Sequence, residues 1–259
     1  MLYFFKLAVI GMVTVPAALL TILFGLFDPY GKYVYQISRL WSRVIVGIAG
    51  VSLRVNGLNH LDPKQQYVFM VNHQSNIDIP ILVQSLPGFQ LRWIAKKELL
   101  WIPLFGWAMW AAKHITVDRS DLSDARGSLK QAQARMTRGI SVVVFPEGTR
   151  SPDGRLAPFK RGGFLLAVKT QTPIVPVTIN GSGKILAKGD WRIQRGEIEV
   201  IVDKPIFVEN YRPGMLRGLA AKVHERVAKN LWSEPQIAEK TSKEVRPAIA
   251  ASPAEKRTL

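Results

Sequence analysis

Twenty consecutive residues without a charge, Ala8 to Phe27 (AVIGMVTVPAALLTILFGLF), constrain this chain more than any other feature. As a helix, such a run rises about 30 Å, the thickness of a bilayer's hydrocarbon core. Pro16 would bend that helix, which membrane helices tolerate. A cleaved signal peptide is the competing reading. One Lys before the run, the run's length and the lack of a clear A-x-A site before Asp28-Pro29 speak against it. No other stretch of the 259 residues is long and apolar enough to span, so a multi-span transporter is excluded. Lys6 alone precedes the run, whereas Lys32, Arg39, Arg43 and Arg54 follow it. The positive-inside rule then places the rest of the chain on the cytoplasmic side.

Tyr35 to Leu53 has a different character. Arg39 and Arg43 lie four apart on one helical face, and Leu40, Trp41, Val44, Ile45 and Ile48 cover another. This pattern predicts a basic amphipathic helix at the membrane surface, in preference to a core helix of a soluble domain. The two N-terminal helices can span the bilayer or dip into one leaflet, and the sequence reads the same either way.

Beyond residue 50 the pattern alternates. Leu53–Val55, Tyr67–Val71, Arg92–Ala95, Ile115–Val117, Ser141–Phe145, Ile174–Ile179 and Glu197–Val202 read as strands. Asp121–Arg138, Gly162–Lys169 and a segment carrying Leu216, Leu219, Val223, Val227 and Leu231 read as helices. SVVVF does not alternate, as expected of a strand buried on both faces. The expected fold is therefore α/β: a mostly parallel twisted sheet flanked by helices, behind an N-terminal hydrophobic two-helix membrane element. The expected division is residues 1–50 for that element, 51–232 for a catalytic domain and 233–259 for a disordered tail rich in Ser, Pro, Lys and Glu.

The chain has no cysteine, which excludes a thiol nucleophile, disulfides and Cys-based metal sites. Of its four histidines, His60, His114 and His224 read as structural or solvated. His73 directly follows the strand YVFMV, in NHQSNID. Within a regular helix, residues five apart point about 140° away from each other. His73 and Asp78 can therefore meet only if His73 lies on a turn and Asp78 in the first turn of a following helix, where Pro80 is welcome. Asp78 would then orient the imidazole and leave its other nitrogen as a general base. FPEGTRS, Phe145 to Ser151, follows the buried strand and should open on the same rim. Arg150 on such a loop suits bidentate phosphate binding.

Four blocks in order resemble the bacterial 1-acyl-glycerol-3-phosphate acyltransferases of the glycerophospholipid acyltransferase superfamily. They are NHQSNID (His-x4-Asp), KHITVDR (Lys113–Arg119), FPEGTRS and TPIVPVTI (Thr172–Ile179). The resemblance covers about residues 50–230. It implies acyl transfer from acyl-CoA or acyl-[acyl carrier protein] to lysophosphatidate, giving phosphatidate, with no further cofactor. His73 would deprotonate the acceptor hydroxyl with Asp78 orienting it. Arg150, with Glu147, Gly148, Thr149, Arg119 and Lys96, would hold the acceptor phosphate. The resemblance places such an enzyme at the cell inner membrane. Siblings acting on glycerol-3-phosphate, a lyso-aminolipid or another lysophospholipid share these blocks.

LLWIPLFGWAMW, Leu99 to Trp110, holds three of the seven tryptophans. Trp101, Phe105, Trp107 and Trp110 are candidates for an acyl-chain channel, a surface dipping into lipid, or ordinary core packing. The formal net charge of +16 calls for an anionic partner. Membrane lipids fit it. Nucleic acid does not, because the basic residues are dispersed and no recognition motif is present. A non-catalytic binder of anionic lipid or nucleic acid is the rival from another class. No His/Asp/Glu group has metal-ligand spacing, so no metal is expected.

Overall fold

The computed structural model describes residues 2–118, 122–136 and 138–233. Helix α1 (Leu2–Gly25) and helix α2 (Lys32–Ala49) come first. Strand β1 (Val51–Asn56), strand β2 (Val68–Val71), helix α3 (Asp78–Ser85), strand β3 (Gln90–Lys96), helix α4 (Phe105–Ala111) and strand β4 (Ile115–Val117) follow. Helix α5 (Leu122–Met136), strand β5 (Ile140–Val144), helix α6 (Gly162–Thr170) and strand β6 (Ile174–Asn180) lead to helix α7 (Ser182–Ile185), strand β7 (Gly196–Val202) and helix α8 (Leu216–Lys229). Residues 234–259, which contain nearly all of the expected tail, lie outside the described residues.

The seven strands form one sheet in the order β1-β7-β6-β2-β5-β3-β4. Only the β6–β7 pair is antiparallel. Burial follows position in the sheet. The central strands β2, β5 and β6 are buried at every residue, whereas the edge strand β1 alternates. That is why SVVVF and IVPVTI lack a period-two pattern. One face of the sheet packs Phe69, Val71, Val143, Val175 and Trp93 under α2 and α3. The other packs Val68, Met70, Val142 and Val144 against α5, α6 and α8. At Gly163 a Cβ would lie 2.9 Å from both Met70 and Val144, so only glycine lets α6 seat this closely.

The packing gives the helix expected over Tyr35–Leu53 different ends and one buried face. The helix starts at Lys32 and ends at Ala49, because Gly50 turns left-handed (φ 73°) and the chain enters β1. Val34, Tyr35, Ser42, Ile45 and Ala49 are buried, and α2 lies between α1 and α3. Its other side stays exposed, with Tyr33 (70%) and Leu40 (66%) beside Arg43. Helix α1 covers α2 from outside, with Trp41 Nε1 donating to Thr14 Oγ1 at 3.0 Å.

Both ends of α1 are fastened to the α/β unit. The buried Lys6 Nζ donates to the carbonyls of Ala49 (3.3 Å) and Ile193 (3.2 Å). Lys113 Nζ donates to Gly25 O at 3.0 Å. Between these ties α1 exposes Met12, Val15, Leu19, Leu23 and Phe24. It is long and apolar enough to cross a bilayer, with a mean hydropathy of 2.4 in its most apolar 18-residue window.

His114 opens β4 against β3. Its Nδ1 accepts the Trp93 N–H at 3.4 Å, and its ring meets the Trp93 ring edge-on at 5.3 Å. Desolvation, then the charges of Arg92 and Arg135, push its imidazole down to about 3. The unfolded chain therefore binds a proton at His114 that the fold does not, between pH 6.5 and about 3. This contribution is intact above pH 6.5 and is lost as pH falls through that window. We expect His114→Gln to lose less stability than wild type between pH 6.5 and 5 in thermal unfolding of the detergent-solubilised protein. Parallel pH curves would contradict this account of His114.

Candidate active site

Strands β2 and β5 are parallel neighbours, with Met70 opposite Val144. The segments after them therefore leave the sheet side by side at one rim. The first turns the chain from β2 into α3. Asn72 pins it to β6: its amide donates to Ile179 O at 2.9 Å and its Oδ1 accepts the Ile179 N–H at 2.7 Å. Ser75 Oγ donates to Leu186 O at 2.7 Å and accepts the Ile77 N–H at 3.2 Å. Neither residue was singled out from the sequence, although both lie inside NHQSNID.

Asp78 is the first residue of α3, and its carboxylate is buried. Its Oδ2 accepts the N–H groups of Gln74 (2.8 Å) and Ser75 (2.9 Å) and meets His73 Nδ1 at 2.8 Å. Its Oδ1 is buried with no hydrogen-bond partner among the described residues. The positive end of the α3 dipole offsets part of that cost. A nitrogen facing a carboxylate carries the proton, so Nδ1 is assigned as the donor and Nε2 keeps its lone pair. Phe145 stacks on the imidazole, 3.9 Å between centroids and 13° between planes. The side chain of His73 retains 16% of its exposure.

The second segment carries FPEGTRS. Gly148 takes φ 78°, which turns the loop sharply after Glu147. Glu147 is buried and clamps two backbones: Oε1 accepts the His73 N–H at 2.8 Å and Oε2 the Ala157 N–H at 2.9 Å. Burial pushes its carboxyl above the usual carboxylate range, and these two N–H bonds pull it partly back. The Ser151 N–H donates to His73 O at 2.7 Å, which closes the loop on the first segment. Glu147 was expected beside the substrate phosphate. Its oxygens instead face backbone donors, so it shapes the loop. Thr149 is exposed and Arg150 half-buried on the same turn. Lys188, distant in sequence, reaches this turn through Arg150 O at 3.0 Å and Thr149 Oγ1 at 3.5 Å. No local signal pointed to Lys188.

Lys96 ends β3, the strand next to β5, and is exposed at the same rim. Arg119 lies outside the described residues. His60 and His224 have structural partners: Val202 O lies 3.1 Å from His60 Nδ1, and Phe159 meets the His224 ring edge-on at 4.9 Å. Trp101, Phe105, Trp107 and Trp110 sit in and around α4 and are exposed by 84, 46, 59 and 60%. They form an outer surface beside α1, where Gly25 packs on Ala111, so the core-packing reading fails. Among the described residues no group of three or more His, Asp or Glu is placed to hold a metal ion.

Known proteins resemble this chain in sequence and in fold. The Acyltransferase family model matches residues 52–180. The 1-acyl-sn-glycerol-3-phosphate acyltransferase of Limnanthes douglasii is 32% identical over 208 residues, 78% of this chain and 73% of that protein. The alpha form from Ovis aries is 39% identical over 189 residues, 73% of this chain and 66% of the sheep protein. The chain thus spans slightly less than two thirds of that mammalian relative. The crystal structure of the 1-acyl-sn-glycerophosphate (LPA) acyltransferase from Thermotoga maritima superposes with a TM-score of 0.69 at 25% identity, covering 90% of this chain and 100% of that one.

The clamp by Glu147 has a measurable consequence. A glutamine there offers one acceptor oxygen, so either the His73 or the Ala157 N–H is left facing an NH2 group. Glu147→Gln is expected to cost about 1–3 kcal/mol of stability. An unchanged thermal midpoint in detergent would remove Glu147 from this role.

Proposed function

The chain belongs to the 1-acyl-sn-glycerol-3-phosphate acyltransferase family, and from that premise we propose that it moves a fatty acyl group from acyl-CoA or acyl-[acyl carrier protein] to the sn-2 hydroxyl of lysophosphatidate. The observation that carries this reading is the 2.8 Å contact between His73 Nδ1 and the buried Asp78 carboxylate. It directs the basic Nε2 outward at the rim where the FPEGTRS turn presents Arg150. Nε2 takes the proton of the acceptor hydroxyl as its oxygen attacks the thioester carbonyl. The C–O bond forms, the C–S bond breaks, and the leaving thiolate takes the proton back from the imidazolium. Asp78 and the Phe145 ring stabilise that cation. The acceptor's own oxygen is the nucleophile, consistent with a chain that contains no cysteine. Arg150 binds the acceptor phosphate bidentately, and the Lys188 ammonium supports the same turn.

The membrane reading concerns α1. A helix crossing the bilayer would carry one end about 30 Å from a domain on the other end's side. Here Lys6 and Gly25 O are both bonded to the α/β unit. Helix α1 therefore lies in one leaflet with its exposed apolar face in lipid, and the aromatic residues of α4 continue that surface. The catalytic unit faces the cytoplasm at the inner membrane, whose anionic cytoplasmic leaflet suits a net charge of +16.

Two experiments test these statements. With purified protein and a panel of acceptors and donors, His73→Ala is expected to lose acyl transfer by about 10²–10⁴-fold while remaining folded. Arg150→Ala is expected mainly to raise KM for lysophosphatidate. Near-normal turnover without the imidazole, or a better acceptor lacking a phosphate, would overturn the assignment. Since the chain has no native cysteine, Phe4→Cys and Tyr30→Cys report the two ends of α1. A membrane-impermeant thiol reagent should reach both from the same side of sealed vesicles. Labelling from opposite sides would show a spanning helix.

A further inference from the structure

A cavity of about 310 Å³ lies away from the catalytic rim, where α4 leads into β4 and α5 crosses the edge of the sheet. That is near the lower end of the size range of small-molecule sites, on the order of 300–1,000 Å³. It shares no residue with the His73 and FPEGTRS segments. Its polar lining consists of Lys113, His114, Thr116, Gln131 and Arg135, and its apolar wall of Leu100 and Trp110. Every one of those polar side chains can donate a hydrogen bond, and among the described residues no carboxylate lines the space.

The charges here are compressed. Arg135 Nε is buried with no hydrogen-bond partner among the described residues, and so is Nε of the fully buried Arg92 behind it. Desolvation lowers Arg135, and the charge of Arg138 lowers it further. Lys113 holds a left-handed backbone (φ 60°) that is costly for a side-chain-bearing residue. This turn keeps Nζ 5.2 Å from the centre of the Trp110 ring and bonded to Gly25 O. His114 spends Nδ1 on the Trp93 N–H, so its Nε2 carries the proton and donates. Gathered cations with unspent donors are stabilised by an oxyanion. The wall formed by Trp110 continues into the exposed surface of Trp101 and Trp107, the residue type that settles at headgroup depth.

We propose that this cavity binds the phosphate headgroup of an anionic membrane phospholipid, at a site separate from the acceptor phosphate at Arg150. The phosphodiester oxygens meet Arg135, Lys113 and His114, and the glycerol and upper acyl carbons lie on Leu100 and Trp110. Because Lys113 also holds the end of α1, the bound headgroup braces α1 and α4 at the same bilayer depth.

The test uses the full chain in nonionic detergent with dihexanoylphosphatidylglycerol, dihexanoylphosphatidylcholine and inorganic phosphate as separate probes in calorimetric titration. Saturable binding of the phosphatidylglycerol is expected, weakened about tenfold or more by Arg135→Gln, largely restored in Arg135→Lys and unchanged in Arg150→Ala. Gln131→Glu, on an exposed helical position, is expected to abolish binding without disturbing the fold, which keeps the test open if Arg135→Gln unfolds. Equal affinity for phosphatidylcholine would overturn the anion site. Equal affinity for inorganic phosphate would overturn the lipid assignment. Loss of binding in Arg150→Ala would place the lipid at the acceptor site, and an absence of saturable binding would reject the proposal outright.

Discussion

One buried carboxylate organises the rim where β2 and β5 end. Asp78 Oδ2 gathers two backbone N–H groups and the imidazole of His73 at a single oxygen. It can do so only because α3 begins there and because Asn72 and Ser75 fix the intervening turn to β6 and to the segment after α7. The FPEGTRS loop is then built against His73 itself, through its N–H to Glu147 and its carbonyl to Ser151. The His73 turn and the FPEGTRS loop are thus one hydrogen-bonded unit. A shift in either segment displaces the other, so the two are pre-organised together.

The distribution of cations follows a second constraint. A net charge of +16 on 259 residues must avoid repelling itself within a compact fold. Part of it is spread over the surface. Part is used inside: Lys6 and Lys113 fasten the apolar α1 to the α/β unit by donating to backbone carbonyls. Arg92 does the same beneath the α1–α2 turn, donating to Leu91 O, Tyr30 O and Gly31 O.

How much was legible depended on the range of the forces involved. The strands from Leu53 to Val202 and the helices from Gly162 and Leu216 could be read because burial stamps a local period, or the absence of one, on the sequence. His73 and Asp78 could be read because a turn and a helix start are local matters. For α2 the sequence showed that one face is buried but not what covers it, because an amphipathic stripe looks alike whether it faces lipid or a neighbouring helix. The exposed tryptophans of α4 were open to three readings for the same reason. Lys188 and Asn72 were not legible as site residues, since their partners Arg150 and Ile179 are distant in sequence.

By itself the sequence determined which residue types could do chemistry and what class of fold would carry them. It set an apolar N-terminal helix, a sheet of buried strands, one histidine with a carboxylate five residues on, and an arginine in a glycine turn. Only the tertiary structure decided that β2 and β5 are neighbours, that Glu147 spends its oxygens on backbone donors, and that both ends of α1 return to the same unit. The physical reason is that pattern and propensity act along the chain, whereas strand order, hydrogen-bond partners and the pooling of charge are fixed by packing between segments far apart in it.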